Sequence, residues 1–352
     1  MLFRSVSQSR SSIWFEITIN YISPSVGVDL FFCISGYVIT RTIVRHREEC
    51  DNFKSFSIPF WIKRMWRLWP AALTWLAINF VCTWLFNWSD SFGPLVNTLK
   101  SSLSAVFQVT NLYFPYCVNN QNCGSNMIYW SLSLEEQFYF IFPFLVYFLS
   151  KGSLKLVMFS MIALQFFLFR DAASLLWSIR TESICSGVLL ALYSKQILSL
   201  ISRSRVLNKI NGVWLFYLIS LSVCLIPATH LGSIAGITML VCFLSVAIAV
   251  SKPNLLGDGL ASRVLIYLGS RSYAIYLCHE VIFRLINEVY MKKSMISTLQ
   301  SKPEILFTVM GIMFVLLMAE INFRFIETPL RTKGRQIAAN YEQKKYQAKK
   351  FS

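Results

Sequence analysis

The chain has 352 residues, of which 55% are hydrophobic, 15% aromatic and only 14% charged. Soluble domains carry about 25% charged residues, so this composition excludes an ordinary soluble protein and predicts a chain that lies in lipid. Lys and Arg outnumber Asp and Glu by 33 to 17, an excess that in so apolar a chain is typical of basic loops at an anionic membrane surface. We therefore expect membrane lipid, and no nucleic acid, among the partners.

The two ends of the chain are polar, and the region between them is apolar. Residues 1–20 lack the charged start and apolar run of a cleavable signal peptide. We predict a polar N-terminal segment at residues 1–25, a transmembrane domain at 26–331, and a basic cytoplasmic tail at 332–352 that is disordered.

Runs of about 20 apolar residues identify membrane helices, and the chain holds nine candidates. They lie near Val26–Val44, Pro70–Trp88, Glu136–Leu149, Leu154–Phe169, Ile184–Leu200, Val213–Thr229, Ile234–Val250, Val264–Val289 and Ile305–Ile326. A further stretch, Leu103–Phe114, is too short and polar to count. The predicted fold class is all-α, a polytopic transmembrane helix bundle of about nine spans.

The orientation follows from the basic residues, because cytoplasmic loops retain Lys and Arg. Most of these residues lie between the first two spans, in alternate loops after that, and in the C-terminal tail. We predict a multi-pass protein of the inner (plasma) membrane with a cytoplasmic C-terminus. Nine spans then place Met1 outside, and one more helix upstream would bring both ends inside.

Asp29 lies at the outer start of the first span. A carboxylate in lipid costs about 2.5–3.5 kcal/mol at the centre of the membrane, and less near the interface, so Asp29 is a candidate functional residue. The alternative is that it complements the dipole of the helix N-terminus. Ser35 and Gly36, further along the same span, are small enough for another helix or a ligand to approach closely.

Arg64 and Arg67 precede the second span and lie on one face if this segment is helical. Paired guanidinium groups suit a phosphate-bearing ligand, because their planar geometry binds phosphate through two hydrogen bonds. The alternative is that they are interface anchors beside the tryptophans of an aromatic belt.

Glu135 and Glu136 open the third span. The spacing of Ser133 and Glu136 predicts a capping box at a helix start, which leaves Glu135 as a second acid without a structural explanation. Arg180 and Glu182 lie at the start of the fifth span. They are either an interfacial pair or a substrate-binding pair.

His279 is the histidine that lies within a predicted span. A buried imidazole there is a candidate proton carrier, and the alternative is a hydrogen-bonded core residue.

The nine cysteines contain no C-x-x-C pair and no Cys/His spacing suited to zinc, so we predict no metal site. Cys117 and Cys123 flank a polar segment of the longest outside loop. They form either a short disulfide or two free thiols.

The order of these motifs resembles one family. Gly27–Phe32, then Arg64-x-x-Arg67-x-x-Pro70, then Trp130–Leu132 with Glu135–Tyr139, resemble the integral-membrane O-acyltransferases of the acyltransferase type three family. Later segments, Ser272–His279 and Phe325–Pro329, are also similar to motifs of that family. The resemblance covers the chain from about Val26 to Arg331.

The resemblance implies a bundle of about ten membrane helices that moves an acyl group, usually acetyl, from cytoplasmic acetyl-CoA to a hydroxyl of an extracytoplasmic glycan. Lipopolysaccharide O-antigen and exopolysaccharide are such acceptors. It also implies that Arg64 and Arg67 bind the acyl donor, and that Asp29, Glu135 and Glu136 help to build the pore and the acceptor side.

The chain departs from the family pattern at its N-terminus. Members carry an Arg or Lys followed by an essential His in a helix upstream of the Gly-Val-Asp motif, and here no histidine precedes His46. In the family the two residues lie about eleven positions apart. Arg10 and Tyr21 have this spacing, but a phenol is a poor base near neutral pH. We expect that the chain either lacks the first helix or is an inactive remnant. His279 is then the residue to test as a substitute base. The rival function is a polytopic transporter or glycan flippase, which also needs charges within the membrane.

Overall fold

The computed structural model describes residues 26–168, 170, 174–203, 235–252, 257–296 and 304–350. All regular secondary structure in these ranges is helical, which confirms the prediction of an all-α fold. The polar segment 1–25 and the predicted span Val213–Thr229 lie outside the described residues.

The helices are numbered here in chain order. They are α1 Val26–Glu48, α2 Phe53–Leu85, α3 Leu95–Val106, α4 Thr110–Asn119, α5 Tyr129–Phe148, α6 Lys151–Phe166, α7 Leu175–Ser178, α8 Glu182–Leu192, α9 Ser194–Arg203, α10 Ala235–Ser251, α11 Leu260–Ser270, α12 Ser272–Ile296, α13 Glu304–Asn322 and α14 Thr328–Lys350. A π-helical segment, Phe323–Glu327, joins α13 to α14.

Four helical stretches in the described ranges are long and apolar enough to cross a membrane. They are Gly27–Glu48, Phe53–Leu85, Leu175–Leu192 and Leu306–Lys344. Two shorter apolar helices are Ala235–Ser251 and Leu260–Ser270. The chain is therefore a helical membrane protein, as its composition predicts.

The chain divides into two compact units. The first comprises Met1–Glu49 and Ile141–Gly259, and the second comprises Cys50–Phe140 and Leu260–Ser352. The boundary at Ile141 falls inside α5, so this helix contributes residues to both units.

In the first unit, α1 and α8 cross at two glycines. A Cβ on Gly36 would collide with the carbonyl oxygen of Ile184, and a Cβ on Gly187 would collide with the carbonyl oxygen of Cys33. The missing side chains let the two backbones touch, which is how small residues drive helix association in membranes. The core of the first unit lies beside this crossing and is formed by residues of α1, α8 and α10. These residues are Cys33, Tyr37, Leu190, Cys242, Val246 and Ala247.

In the second unit, α2 is 33 residues long and contains Pro59 and Pro70. At 1.5 Å per residue it extends about 50 Å, well beyond the roughly 30 Å of a hydrocarbon core. The predicted second span begins near Pro70, and the helix that contains it begins earlier, at Phe53, and continues through the proline. The Thr74 hydroxyl donates to the carbonyl of Pro70 at 2.8 Å, an example of the side-chain bonding that accompanies proline in membrane helices.

The C-terminal tail is also helical, and the prediction of disorder is wrong. Helix α14 packs on α2 through Gly334, whose Cα leaves no room for a side chain against Trp66, and through the fully buried Ala338. An ion pair of 3.1 Å between Lys63 and Glu342 joins the same two helices. Small residues at a spacing of four therefore stabilise a segment whose overall composition is polar and basic.

Two other predicted spans are interrupted. The span Ile184–Leu200 divides between α8 and α9, and Val264–Val289 divides between α11 and α12 at Arg271. Cys117 and Cys123 form a disulfide, which decides between the two alternatives left by the sequence.

Candidate functional site

The second unit contains a cluster of two acids and two arginines, which we name the acid–arginine cluster: Arg64, Arg67, Glu135 and Glu136. Glu136 Oε2 accepts a hydrogen bond of 3.2 Å from Trp69 Nε1. Glu135 is 1% exposed and accepts a hydrogen bond from the Tyr139 hydroxyl, one turn further along α5.

Arg64 connects the arginine side of this cluster to the acidic side. Its guanidinium lies 5.2 Å from the centre of the Tyr139 ring and 5.7 Å from that of Phe60. It interacts electrostatically with Glu135, Glu136 and Arg67. The family resemblance divided these residues between a donor side and an acceptor side, whereas the structure places them together near the middle of α2.

Two atoms of the cluster retain unused hydrogen-bonding capacity. Arg67 Nε and Glu136 Oε1 are buried and have no hydrogen-bond partner among the described residues. Buried polar atoms are nearly always paired, so an unpaired donor and acceptor in one cluster call for a functional explanation. One of these atoms is a hydrogen-bond donor and the other is an acceptor.

The predicted capping box at Ser133 is wrong. Helix α5 begins at Tyr129, so Ser133 and Glu136 lie inside it rather than at its start. The Ser133 hydroxyl instead accepts a hydrogen bond of 3.3 Å from the backbone N–H of Thr110. The side chain of Glu136 is thereby left for the contact with Trp69.

Helix α12 lies beside the cluster and carries the predicted histidine. The Tyr273 hydroxyl donates to the carbonyl of Leu68 at 2.7 Å, and Tyr273 interacts electrostatically with Glu135 and Glu136. His279 is half-buried two turns further on, and its Nδ1 lies 2.6 Å from the carbonyl oxygen of Tyr276. Because a carbonyl only accepts, this contact is a hydrogen bond in the tautomer that carries its proton on Nδ1.

The π-helical segment Phe323–Glu327 places a further buried acid in the second unit. This acid is Glu327, which is 3% exposed. Its carboxylate lies 3.8 Å from Arg331 and interacts electrostatically with Arg67 and Arg271. Asn322, at the entrance of the segment, accepts a hydrogen bond of 3.2 Å from Trp75 Nε1. Pro329, two residues after the segment, has no backbone N–H to donate within the helix. Short π-helical segments of this kind often occur at functional sites.

The first unit holds a separate set of buried charges. Asp29 Oδ1 accepts from the Ser183 hydroxyl at 3.2 Å, and Asp29 Oδ2 lies 3.5 Å from Arg180 Nη1. Arg170 Nη1 donates to Glu182 Oε1 at 2.9 Å. All four charged side chains are nearly inaccessible to solvent. Arg180 and Glu182, which the sequence offered as an interfacial or substrate-binding pair, each contact a different charged residue here.

The sequence left three contributors unrecognised: Arg170, Tyr139 and Trp69. Arg170 directly follows an apolar run and lies in no motif that marks it as functional. Tyr139 follows Glu135 by four residues, and this spacing is the signal that predicts their contact on one helix face. Nothing local to Trp69 indicates that its indole meets Glu136, 67 residues away.

A helical membrane protein with buried acids, arginines and unused hydrogen-bonding atoms belongs to the class of integral-membrane enzymes and transporters. The sequence profile of one family, described as an acyltransferase domain, matches residues 4–323. The chain therefore belongs to this acyltransferase family, as the order of its motifs indicated.

Similar proteins come from Staphylococcus aureus. The O-acetyltransferase OatA of strain MRSA252 is 28% identical over 353 residues, covering 92% of this chain and 55% of the relative. OatA of strain NCTC 8325 / PS 47 has the same identity and coverage. The chain thus spans about half the length of these curated relatives. No solved structure matches it.

Proposed function

We propose that this protein transfers an acetyl group from cytoplasmic acetyl-CoA to a hydroxyl of an extracytoplasmic glycan, such as lipopolysaccharide O-antigen or exopolysaccharide. The protein would act in the bacterial inner membrane with its C-terminus in the cytoplasm. The family supports acyl transfer, and the name of the staphylococcal relatives supports acetyl as the group and oxygen as the acceptor atom.

The observation that carries the proposal is the acid–arginine cluster with its two unused atoms. An acyl transfer needs a group that takes the proton of the attacking hydroxyl and a donor that stabilises negative charge on the carbonyl oxygen. Glu136 Oε1 and Arg67 Nε are such an acceptor and donor, both buried and both without a partner among the described residues.

The reaction forms an ester bond and breaks a thioester. The hydroxyl oxygen attacks the carbonyl carbon while Glu136 takes the hydroxyl proton. The carbon–sulfur bond then breaks, and the proton passes to the departing thiolate, which leaves as CoA. Arg64 and Arg67 bind the acyl donor, and their fixed charges stabilise the oxyanion without reorganising. Asp29 would support the acceptor side, as the resemblance implies.

His279 is the second candidate for the proton acceptor. The contact of its Nδ1 with the carbonyl of Tyr276 suits the tautomer with the proton on Nδ1, and Nε2 is then the ring atom that would take the hydroxyl proton. Glu136 is preferred because it belongs to the acid–arginine cluster, and His279 does not.

Variants of these two residues test the assignment. In membrane vesicles given acetyl-labelled acetyl-CoA, we expect Glu136→Gln to lower glycan labelling by about 10²–10⁴-fold, the usual contribution of a general base, and His279→Gln to leave it nearly unchanged. Gln retains an oxygen for the Trp69 bond, so the helix contact survives. Reversal of the two results would assign the base to His279. Glycan that crosses the membrane without label would favour a flippase and refute the proposal.

A further inference from the structure

The second unit contains a row of polar side chains on α12 that the proposed reaction does not use. Tyr276, Glu280 and Arg284 follow one another at intervals of four residues, so they lie on one face of the helix. Arg284 donates to Glu280 Oε1 through Nε at 3.1 Å and through Nη2 at 2.6 Å. We name these three residues the α12 polar face.

The second carboxylate oxygen of Glu280 is in a different position. Glu280 Oε2 is buried and has no hydrogen-bond partner among the described residues. Two phenols, Tyr129 and Tyr276, interact electrostatically with Glu280. Tyr129 donates its proton to the carbonyl of Ala72 at 3.0 Å, and Tyr276 donates its own to the carbonyl of Ile128. Because each phenol has a single proton, Glu280 Oε2 is left to accept from a ligand.

Tyr276 connects the α12 polar face to the acid–arginine cluster. It interacts electrostatically with Glu135 as well as with Glu280. Its hydroxyl oxygen lies 2.6 Å from the hydroxyl of Ser131, which is one turn before Glu135 on α5. Tyr273, one turn before Tyr276, also interacts electrostatically with Glu135. The face therefore begins beside the residues proposed to carry out the transfer.

The other end of the face meets the loop between α2 and α3. Arg284 Nη1 donates to the carbonyl of Ser91, and the Asn287 amide donates to the Ser91 hydroxyl at 2.8 Å. Glu288 accepts from the backbone N–H groups of Ser89 and Ser91 at 2.7 and 2.8 Å. The distribution of basic residues predicts that this loop lies outside the membrane. The face therefore extends from the cluster toward the compartment from which an extracytoplasmic acceptor would come.

The charges of the face favour a neutral ligand that carries hydroxyl groups. Glu280 and Arg284 compensate each other, so an anion would be repelled by the carboxylate and a cation by the guanidinium. Glu280 Oε2 accepts hydrogen bonds and cannot donate them while the carboxyl is ionised. A sugar supplies several uncharged donors, and a hydrogen bond to an ionised acceptor is stronger than one between neutral groups.

We propose that Glu280 binds the acceptor sugar and helps to select it, with Oε2 accepting from a hydroxyl other than the one that is acetylated. This inference rests on the proposed function, because that function supplies the glycan as the ligand. Arg284 is a positioning residue, since it holds Glu280 through the opposite oxygen.

Glycan binding to the purified full-length protein in detergent, without acetyl-CoA, tests the proposal. The probe is unacetylated surface glycan extracted from cells in which the gene for this protein is deleted. Glu280→Gln keeps an oxygen for Arg284 and replaces the accepting Oε2 by an amide nitrogen. We expect this variant to bind the glycan about tenfold more weakly or worse, with an unfolding temperature close to that of the wild type.

Glu320→Gln is the matched control, because it makes the same chemical change on α13. The Glu320 carboxylate already accepts from Tyr267 at 2.6 Å and from Arg271 at 3.0 Å, and the variant should bind the glycan like the wild type. An equal loss of binding in both variants, or no binding by the wild type, would overturn the proposal.

The kinetics of acetyl transfer separate sugar binding from a structural role. With labelled acetyl-CoA and varied glycan, Glu280→Gln should raise the KM for glycan about tenfold and leave the KM for acetyl-CoA unchanged. A partly unfolded variant would lower kcat without moving either KM. Glu280→Asp keeps the charge on a shorter side chain, and its KM for glycan should lie between those of the wild type and Glu280→Gln.

The two measurements also distinguish this inference from the proposed function. Wild-type protein that binds the glycan through Glu280 but never labels it would refute the proposed transfer and leave the binding site in place. Labelled glycan with an unchanged KM for glycan in both Glu280 variants would refute the binding site and leave the transfer in place.

Discussion

At the scale of single residues, the buried Asp29 interacts through both carboxylate oxygens, with Ser183 and Arg180. Removing one member of a buried ion pair leaves the other charge uncompensated, at a cost of about 3–5 kcal/mol. We therefore expect Asp29→Asn to destabilise the protein by about that amount, measured as thermal or denaturant unfolding in detergent.

A double variant separates a structural role of Asp29 from a functional one. Asp29→Asn/Arg180→Gln removes both charges and should recover much of the lost stability. If acetyl transfer returns with stability, Asp29 only holds Arg180 in place. If stability returns and transfer does not, Asp29 has a role at the acceptor side. An unaltered unfolding temperature in Asp29→Asn alone would show that the pair is not buried as described.

At the scale of helices, the crossing of α1 and α8 determines where these charges lie. Asp29 is on α1, Arg180 and Ser183 flank the start of α8, and Gly36 and Gly187 set the distance between the two helices. We expect Gly187→Ala to force the backbones apart and lower the unfolding temperature, because the new Cβ would meet a main-chain carbonyl that cannot rotate away.

Gly27→Ala is the matched control for this prediction. Gly27 lies on the same helix as Gly36, and a Cβ there would meet nothing within 4 Å. Alanine is better than glycine in a helix interior by up to about 1 kcal/mol, so this variant should be neutral or slightly stabilising. Equal destabilisation by both variants would refute the close crossing.

The contact of α14 with α2 supports a prediction about the C-terminal tail. Gly334 faces Trp66 without room for a methyl group. Gly334→Ala should therefore detach the end of α14 from α2 and make the peptide bonds after its many basic residues accessible to a protease. Limited trypsin digestion of detergent-solubilised protein would then cleave the variant tail faster than the wild type. The control is Arg335→Ala, on the exposed side of α14, which should not increase cleavage elsewhere in the tail. Rapid cleavage of the wild-type tail would show that α14 is not packed on α2.

Helices were predictable from the sequence to the extent that they follow local apolar patterning. The cores of α1, α5, α6 and α10 lie within the predicted spans, because a run of apolar residues has one stable form in lipid. The start of α2 at Phe53 and the helical tail were not predicted, for different reasons. Basic residues and prolines interrupt the apolar pattern in the first half of α2, whereas the tail is polar throughout and packs on α2.

At the scale of the whole molecule, the order of the motifs identified the family, because each motif occupies its own span. The partners of the charged residues were not predictable. Asp29 meets Arg180 and Glu136 meets Trp69 across long separations in sequence, and these meetings depend on helix packing that a single sequence does not encode locally. Sequence spacing predicts contacts only between residues one turn apart on a helix, such as Glu135 and Tyr139.

The central claim is that the acid–arginine cluster transfers an acetyl group across the membrane, and labelled acetyl-CoA supplied to inside-out vesicles tests it most directly. Wild-type vesicles should label their glycan. Arg64→Ala and Arg67→Ala should abolish labelling, while the amount of inserted protein and labelling by the control Arg335→Ala stay at the wild-type level. Retained labelling in both cluster variants, or no labelling by the wild type at all, would contradict the account.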